Sequence, residues 1–227
     1  MSNFKLAAKK TAIFLLIASI IAVFVTILSG CPKGDGDETD NLAILEITQD
    51  DLIVGNEQAP ITIIEYSDMQ CPACAYFHNV FKQTSRLIRN DARLVIRHFP
   101  LTQIHAHAFL AAQYIEAARV QRKHEDLIDK LFVNQEQWSE VTDAEKLFLQ
   151  YASEIGLDIE KLKADKNDPA VKDKVQKDMA SGNELAISGT PTIFMNGKEI
   201  NFPDTPQKLF EIVQQEKQAI SQSKLNK

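Results

Sequence analysis

Cysteine is scarce in this chain. Only three occur among 227 residues, Cys31, Cys71 and Cys74, and Cys31 stands far from the other two. So few cysteines exclude the disulfide framework that staples small exported domains. The one short bridge open to the chain, Cys71 to Cys74, closes a loop too small to add much chain-entropy stability. A bridge of so little structural use points to chemistry. Basic charge is scarce as well, with 25 Lys and Arg against 31 Asp and Glu. Lys5, Lys9 and Lys10 fall in residues 1–30, which hold no acid, so the main body is more acidic than the net charge of −6. Such a body lacks the basic face that neutralises phosphates, which excludes nucleic acid as a partner. No internal repeat is evident. What the chain does have is apolar substance: 44% hydrophobic and 25% charged residues are the proportions of a globular protein. Its length fits one domain with extras and a substantial core.

The stretch Thr11 to Ser29 (TAIFLLIASIIAVFVTILS) is apolar apart from its hydroxyl side chains. At ~1.5 Å per residue it is just long enough for a bilayer core. Lysines precede it, and Asp35, Asp37, Glu38 and Asp40 follow. Lysines stay on the cytoplasmic side, so the body is expected to face outward, on the periplasmic or outer side of a bacterial cell membrane. Residues 1–30 are thus a signal or anchor segment. Leu28-Ser29-Gly30-Cys31 resembles the lipobox of bacterial lipoproteins, in which the cysteine becomes the lipid-modified N-terminus. An uncleaved anchor, longer than the usual apolar region of a signal peptide, is the competing reading. A third leaves Cys31 unmodified at the interface, and all three tether the domain through residues 11–31. Residues 31–41, rich in acid and Gly, are expected to form a flexible linker. Residues 42–227 form the folded domain.

Within that domain the apolar run Ile61 to Tyr66 is followed by Cys71-Pro72-Ala73-Cys74, and then by a helical pattern through Ala75, Phe77, Val80, Phe81, Ser85, Leu87 and Ile88. Residues three apart on a helix lie within reach of disulfide geometry. With Cys71 as N-cap, Pro72 takes the first helical position, where its missing N–H costs nothing. The Cys71 sulfur then faces the unpaired amides of the helix start, which favours thiolate. Cys71 is the expected nucleophile and Cys74 its resolving partner. The same spacing also serves half a zinc site, so a non-enzymatic metal-binding lipoprotein using Cys71, Cys74 and one or more of His98, His105 and His107 is the alternative.

A second strand is predicted at Leu94 to Phe99, which makes a parallel βαβ unit. From about 105 to 184 the chain is predicted to be helical, too long for a simple crossover and therefore an inserted subdomain. Starts are expected at Thr142 with Glu145 completing a capping box, at Asp158 and at Asp168-Pro169; stops are expected at Gly156 and Gly182. Asn196-Gly197 predicts a hairpin between Thr192–Met195 and Glu199-Ile200, and Thr205-Pro206 opens a final amphipathic helix. Trp138 is expected in the core of the insertion.

At this point the chain resembles the DsbA-like thiol:disulfide oxidoreductases of the thioredoxin superfamily, over about residues 50 to 220. The resemblance rests on the dithiol, on Glu65 six residues before it, on Arg97-His98-Phe99-Pro100-Leu101 with His105, and on Gly189-Thr190-Pro191-Thr192 before the hairpin. It implies an α/β thioredoxin fold with an inserted helical subdomain. It implies that Glu65 is buried and relays the Cys74 proton, and that Pro191 is cis in a loop whose Thr190 backbone pairs with substrate. The chemistry needs no cofactor and no metal. The implied partners are exported proteins with free thiols or disulfides, and a membrane redox partner, either a quinone-linked oxidase or an electron donor. Oxidase is the favoured direction; reductase or isomerase on the same fold is the alternative. Histidines 98, 105 and 107 are expected to pack or cap. One position departs from the family: Ala73 stands where the DsbA type has histidine, which predicts a less acidic Cys71 and a less oxidising couple.

Overall fold

The computed structural model describes residues 38–225. A short helix, α1 (Glu38–Ile44), already occupies the last residues of the expected linker. The apolar stretch 11–29 and Cys31 lie outside the described residues, among which no helix is long and apolar enough to cross a membrane.

Five strands, β1 (Leu52–Val54), β2 (Ile61–Ser67), β3 (Ala92–His98), β4 (Thr192–Met195) and β5 (Lys198–Ile200), form one sheet in the order β1-β3-β2-β4-β5. The β2–β3 pair is parallel, with Ile63 opposite Leu94 and Glu65 opposite Ile96, and α2 (Pro72–Ile88) makes the crossover. The other three pairings are antiparallel. Because β2 and β3 are covered on both faces, they are nearly continuous apolar runs rather than alternating ones. Period two still sorts their side chains. Ile61, Ile63, Leu94 and Ile96 join a core with α2 and the C-terminal helix α9 (Pro206–Leu225), whereas Ile64, Tyr66 and Val95 join Phe99 and Phe194 in a second cluster. The hairpin turn falls at Asn196 and Gly197, both at positive φ.

The insertion comprises α3 (Ala108–Val120), α4 (His124–Val133), α5 (Gln135–Trp138), α6 (Ala144–Glu154), α7 (Ile159–Lys166) and α8 (Pro169–Glu184). Trp138 is fully buried there, donating Nε1–H to the Leu131 carbonyl at 2.8 Å and meeting Phe148 edge-on. Asp158 and Asp168 cap α7 and α8 as expected. Three local expectations are corrected. The cap of α6 is Asp143, whose carboxylate accepts from the Lys146 amide, while Glu145 instead accepts from the Tyr114 hydroxyl and Lys166. Gly182 does not stop a helix: it lies inside α8, where a Cβ would come within 2.6 Å of the Phe99 ring, so glycine is there to let the helix approach the sheet. That helix ends beyond it, with Ala186 taking the positive φ. Leu87 is exposed, and Thr84 takes the buried place on α2.

Candidate active site

The dithiol sits where β2 runs into α2. Cys71 is the N-cap (φ −76°, ψ 122°) with Pro72 in the first turn, so its sulfur sits at the helix start, beside the amides of Ala73 and Cys74. Both cysteines are free thiols; Cys71 is 7% exposed and Cys74 is fully buried. The Cys71 Sγ reaches the Thr190 carbonyl at 3.3 Å, across the cis Thr190–Pro191 bond loop. Thr190 Oγ1 is buried without a partner among the described residues, a donor left to a Cys71 thiolate.

The two sulfurs are driven apart in acidity. The hydrogen bond from Cys74, against the opposing effect of burial, holds Cys71 down at about 5, with Thr190 and the amides of Cys74 and Ala73 helping. Burial pushes Cys74 well up, and the neighbouring Cys71 and Glu65 charges add to it. A side chain at 73 would be exposed, so histidine's absence there removes a neighbour without closing the site.

Glu65 is where period two sends it, on the face of β2 that carries Ile61 and Ile63, and it is fully buried. Ser67 Oγ donates to its Oε1 at 2.7 Å; its Oε2 has no partner among the described residues. Burial raises its carboxyl to about 8. A group poised near neutrality can take or return the proton of a neighbouring thiol.

Three side chains that sequence reasoning did not single out complete the site. Asp68 donates its amide to the Cys74 sulfur (3.4 Å), and its carboxylate accepts from the Gln70 and Leu101 amides and faces His105 Nδ1. Gln70 bridges to the Ser139 carbonyl and the His107 amide. Gln135 gives one amide group to the carbonyls of both Met69 and Cys71. A polar Asp68 between an apolar strand and the dithiol was a visible sign; Gln135, far along the chain, carried none.

The histidines are scattered. His98 pairs with Glu116, His105 with Asp68, and His107 caps α3 while contacting the Val141 carbonyl. Among the described residues the one group with metal-ligating proximity is His98, Glu116 and Asp178, which includes neither cysteine. Its carboxylates are already occupied by Lys174 and Arg119. The geometry does not assemble the Cys/His metal site that the sequence left open.

A family model described as thioredoxin matches residues 47–215. Over 169 residues the chain is 34% identical to part of the Na(+)/H(+) antiporter NhaA of Herminiimonas arsenicoxydans, covering 73% of this chain and 26% of that protein. The chain thus spans about a quarter of the length of the curated relatives it matches. Among solved structures, a thioredoxin-like oxidoreductase from Silicibacter pomeroyi superposes with a TM-score of 0.64 at 25% identity, over 75% of this chain and 94% of that one. For alpha-DsbA1 of Wolbachia pipientis the TM-score is 0.65 at 21% identity, over 77% and 94%. With a dithiol at a helix start, a cis-proline loop against it and a helical insertion in the sheet, the chain belongs to the thioredoxin family, and its fold is the one that alpha-DsbA1 has.

Proposed function

We propose that this DsbA-like thiol:disulfide oxidoreductase forms disulfides in exported proteins while tethered to the outer face of a bacterial cell membrane through residues 11–31. The observation that carries the reading is the opposed displacement of the two thiols, Cys71 at about 5 and Cys74 far above its ordinary value. A stabilised Cys71 thiolate favours the reduced protein, which makes its disulfide a better oxidant. A substrate thiolate attacks the Cys71 sulfur and Cys74 departs, taking a proton from Glu65. The substrate's second thiol then displaces Cys71 and closes its own disulfide. Pro72 starts the helix that stabilises Cys71, and Thr190 with Pro191 presents backbone to an extended substrate. Re-oxidation of the dithiol is assigned to a membrane redox partner, and a shared membrane raises their effective concentration. Residues 1–30 serve as signal or anchor, with Cys31 as the lipid attachment point.

The test is the reduction potential of the Cys71–Cys74 couple in the full chain. A Cys71 at about 5 lies between thioredoxin (~7) and DsbA (~3.5), and the potential is expected between their ~−270 and ~−120 mV. A value at or below thioredoxin's would make the protein a reductase. Cys71→Ser is expected to abolish turnover and Cys74→Ser to trap mixed disulfides. Mass spectrometry of the membrane form decides Cys31: an unmodified chain from Met1 to Lys227 rules out lipid attachment.

A further inference from the structure

Asp68 touches both halves of the dithiol. Its amide donates to the Cys74 sulfur at 3.4 Å, and its carbonyl accepts the Cys71 amide at 3.0 Å. Of these two contacts only the amide faces a sulfur, that of Cys74; the carbonyl closes the turn before Cys71 through backbone alone. Its side chain is fully buried and clamped from two directions. The Gln70 amide holds Oδ1 at 2.7 Å. Oδ2 receives the Leu101 amide at 2.7 Å and lies 2.8 Å from His105 Nδ1. A carboxylate only accepts, so His105 carries its proton on Nδ1 here. His105 belongs to the segment leading from β3 into the insertion, and it touches neither sulfur.

We propose that His105, acting through Asp68, is a positioning residue for the Cys74 half of thiol–disulfide exchange. The proposal rests on the exchange reading above. An amide 3.4 Å from sulfur is a weak donor to a thiol or a disulfide, but a strong one to thiolate, because hydrogen bonds to an ionised acceptor are roughly twice as strong. It therefore acts when the Cys71–Cys74 bond breaks or forms. In the first step with glutathione as probe, the glutathione thiolate bonds to the Cys71 sulfur. The Cys71–Cys74 bond breaks and its electron pair leaves on Cys74, whose thiolate faces the Asp68 amide until Glu65 protonates it. In the second step another glutathione thiolate attacks the glutathione sulfur, oxidised glutathione leaves, and Cys71 is released as thiolate. Cys74 takes no part in that second step.

The two steps thus separate the role of His105 from general damage. Rapid-quench measurement on the full chain is expected to show His105→Ala slowing the first step, and the reverse attack of Cys74 on the mixed disulfide, about tenfold, the effect of one ordinary hydrogen bond. The second step should stay within about twofold and the ultraviolet titration of the Cys71 thiolate should not move. His105→Asn, whose amide nitrogen stands the same number of bonds from Cβ as Nδ1, is expected to restore the first step. If His105→Ala does not fold, His105→Asn against His105→Gln makes the same comparison, since Gln moves the nitrogen one bond out. Native rates in both steps, or equal slowing of both, would overturn the proposal. A native protein that forms no mixed disulfide with glutathione would sink the exchange reading itself, an outcome distinct from either.

Discussion

Two acids are buried equally deep on adjacent strands and helices, and they behave in opposite ways. Glu65 has one oxygen on Ser67 and the other on nothing described, and burial raises its carboxyl to about 8. Glu116, 1% exposed, is desolvated too. Yet its Oε1 lies 3.1 Å from His98 Nε2 and its Oε2 receives Arg119 at 2.9 Å, and these partners with Lys174 hold it below the usual carboxylate range. Asp178 beside it takes the His98 amide on Oδ2 and Lys174 on both oxygens. Depth alone does not decide what a buried acid does: partners hold Glu116 down, while burial still raises Asp178 against its own partners. The acid left under-partnered behind the dithiol is the proposed proton reservoir, and the partnered acids join the insertion to β3.

The sharpest way to break this contrast is to remove the braced acid. Glu116→Ala leaves Arg119 and His98 without their anion and is expected to cost about 3–5 kcal/mol in urea unfolding, with the reduction potential of the surviving folded protein unchanged. The reservoir acid should behave the other way. Glu65→Gln is expected to slow the bond-breaking step at Cys74 about 10²-fold by rapid quench, while changing stability little at acid pH. Its pH dependence follows from linkage. The folded carboxyl holds its proton more tightly than the unfolded one, so the disulfide form should lose stability as pH rises from about 4.5 to about 8 and level off beyond. Denaturant midpoints across that range should fall in the native disulfide form and stay flat in Glu65→Gln. In the reduced form Cys71 contributes the opposite slope. Its folded value of about 5 lies below the ordinary 9.0, so between about 5 and about 8 it offsets the Glu65 slope, and the reduced protein should stay nearly level while the disulfide form falls. The smallest effect concerns the dithiol alone. Ala73→His is expected to lower Cys71 by about one unit, roughly 1.4 kcal/mol, read from thiolate absorbance.

Much of the site was legible because its chemistry is local. Cys71, Pro72 and Cys74 are fixed by a strand-to-helix junction that a mostly apolar run, Ile61 to Tyr66, and a proline announce. Glu65 and the cis Thr190-Pro191 loop were placed by the resemblance to a family, not by local chemistry, through the distance of the one to the dithiol and the hairpin after the other. The insertion was legible as helix, with the caps at Asp158 and Asp168, though the cap of α6 was not. Thr142 and Asp143 are both competent N-caps, and the choice was made by Glu145 leaving for Tyr114 and Lys166. Gly182 carries the same ambiguity: a glycine that ends a helix and one that admits a neighbouring ring look alike until Phe99 is placed. Asp68 and Gln70 depend on contacts with Leu101, His107 and Ser139, and Gln135 on the carbonyls of Met69 and Cys71, and no periodicity encodes those.

Gln135 ties the last turn before α2 to the insertion through the carbonyls of Met69 and Cys71. The seam between the two substructures therefore runs beneath the reactive loop rather than away from it. Local opening of the insertion must release those carbonyls, so amide hydrogen exchange in the first turn of α2 should share the opening free energy of α5 rather than that of the central strands. The reactive sulfur is in this sense kinetically coupled to the least sheet-like part of the molecule. A partner that grips the insertion could loosen or tighten the dithiol without ever touching it.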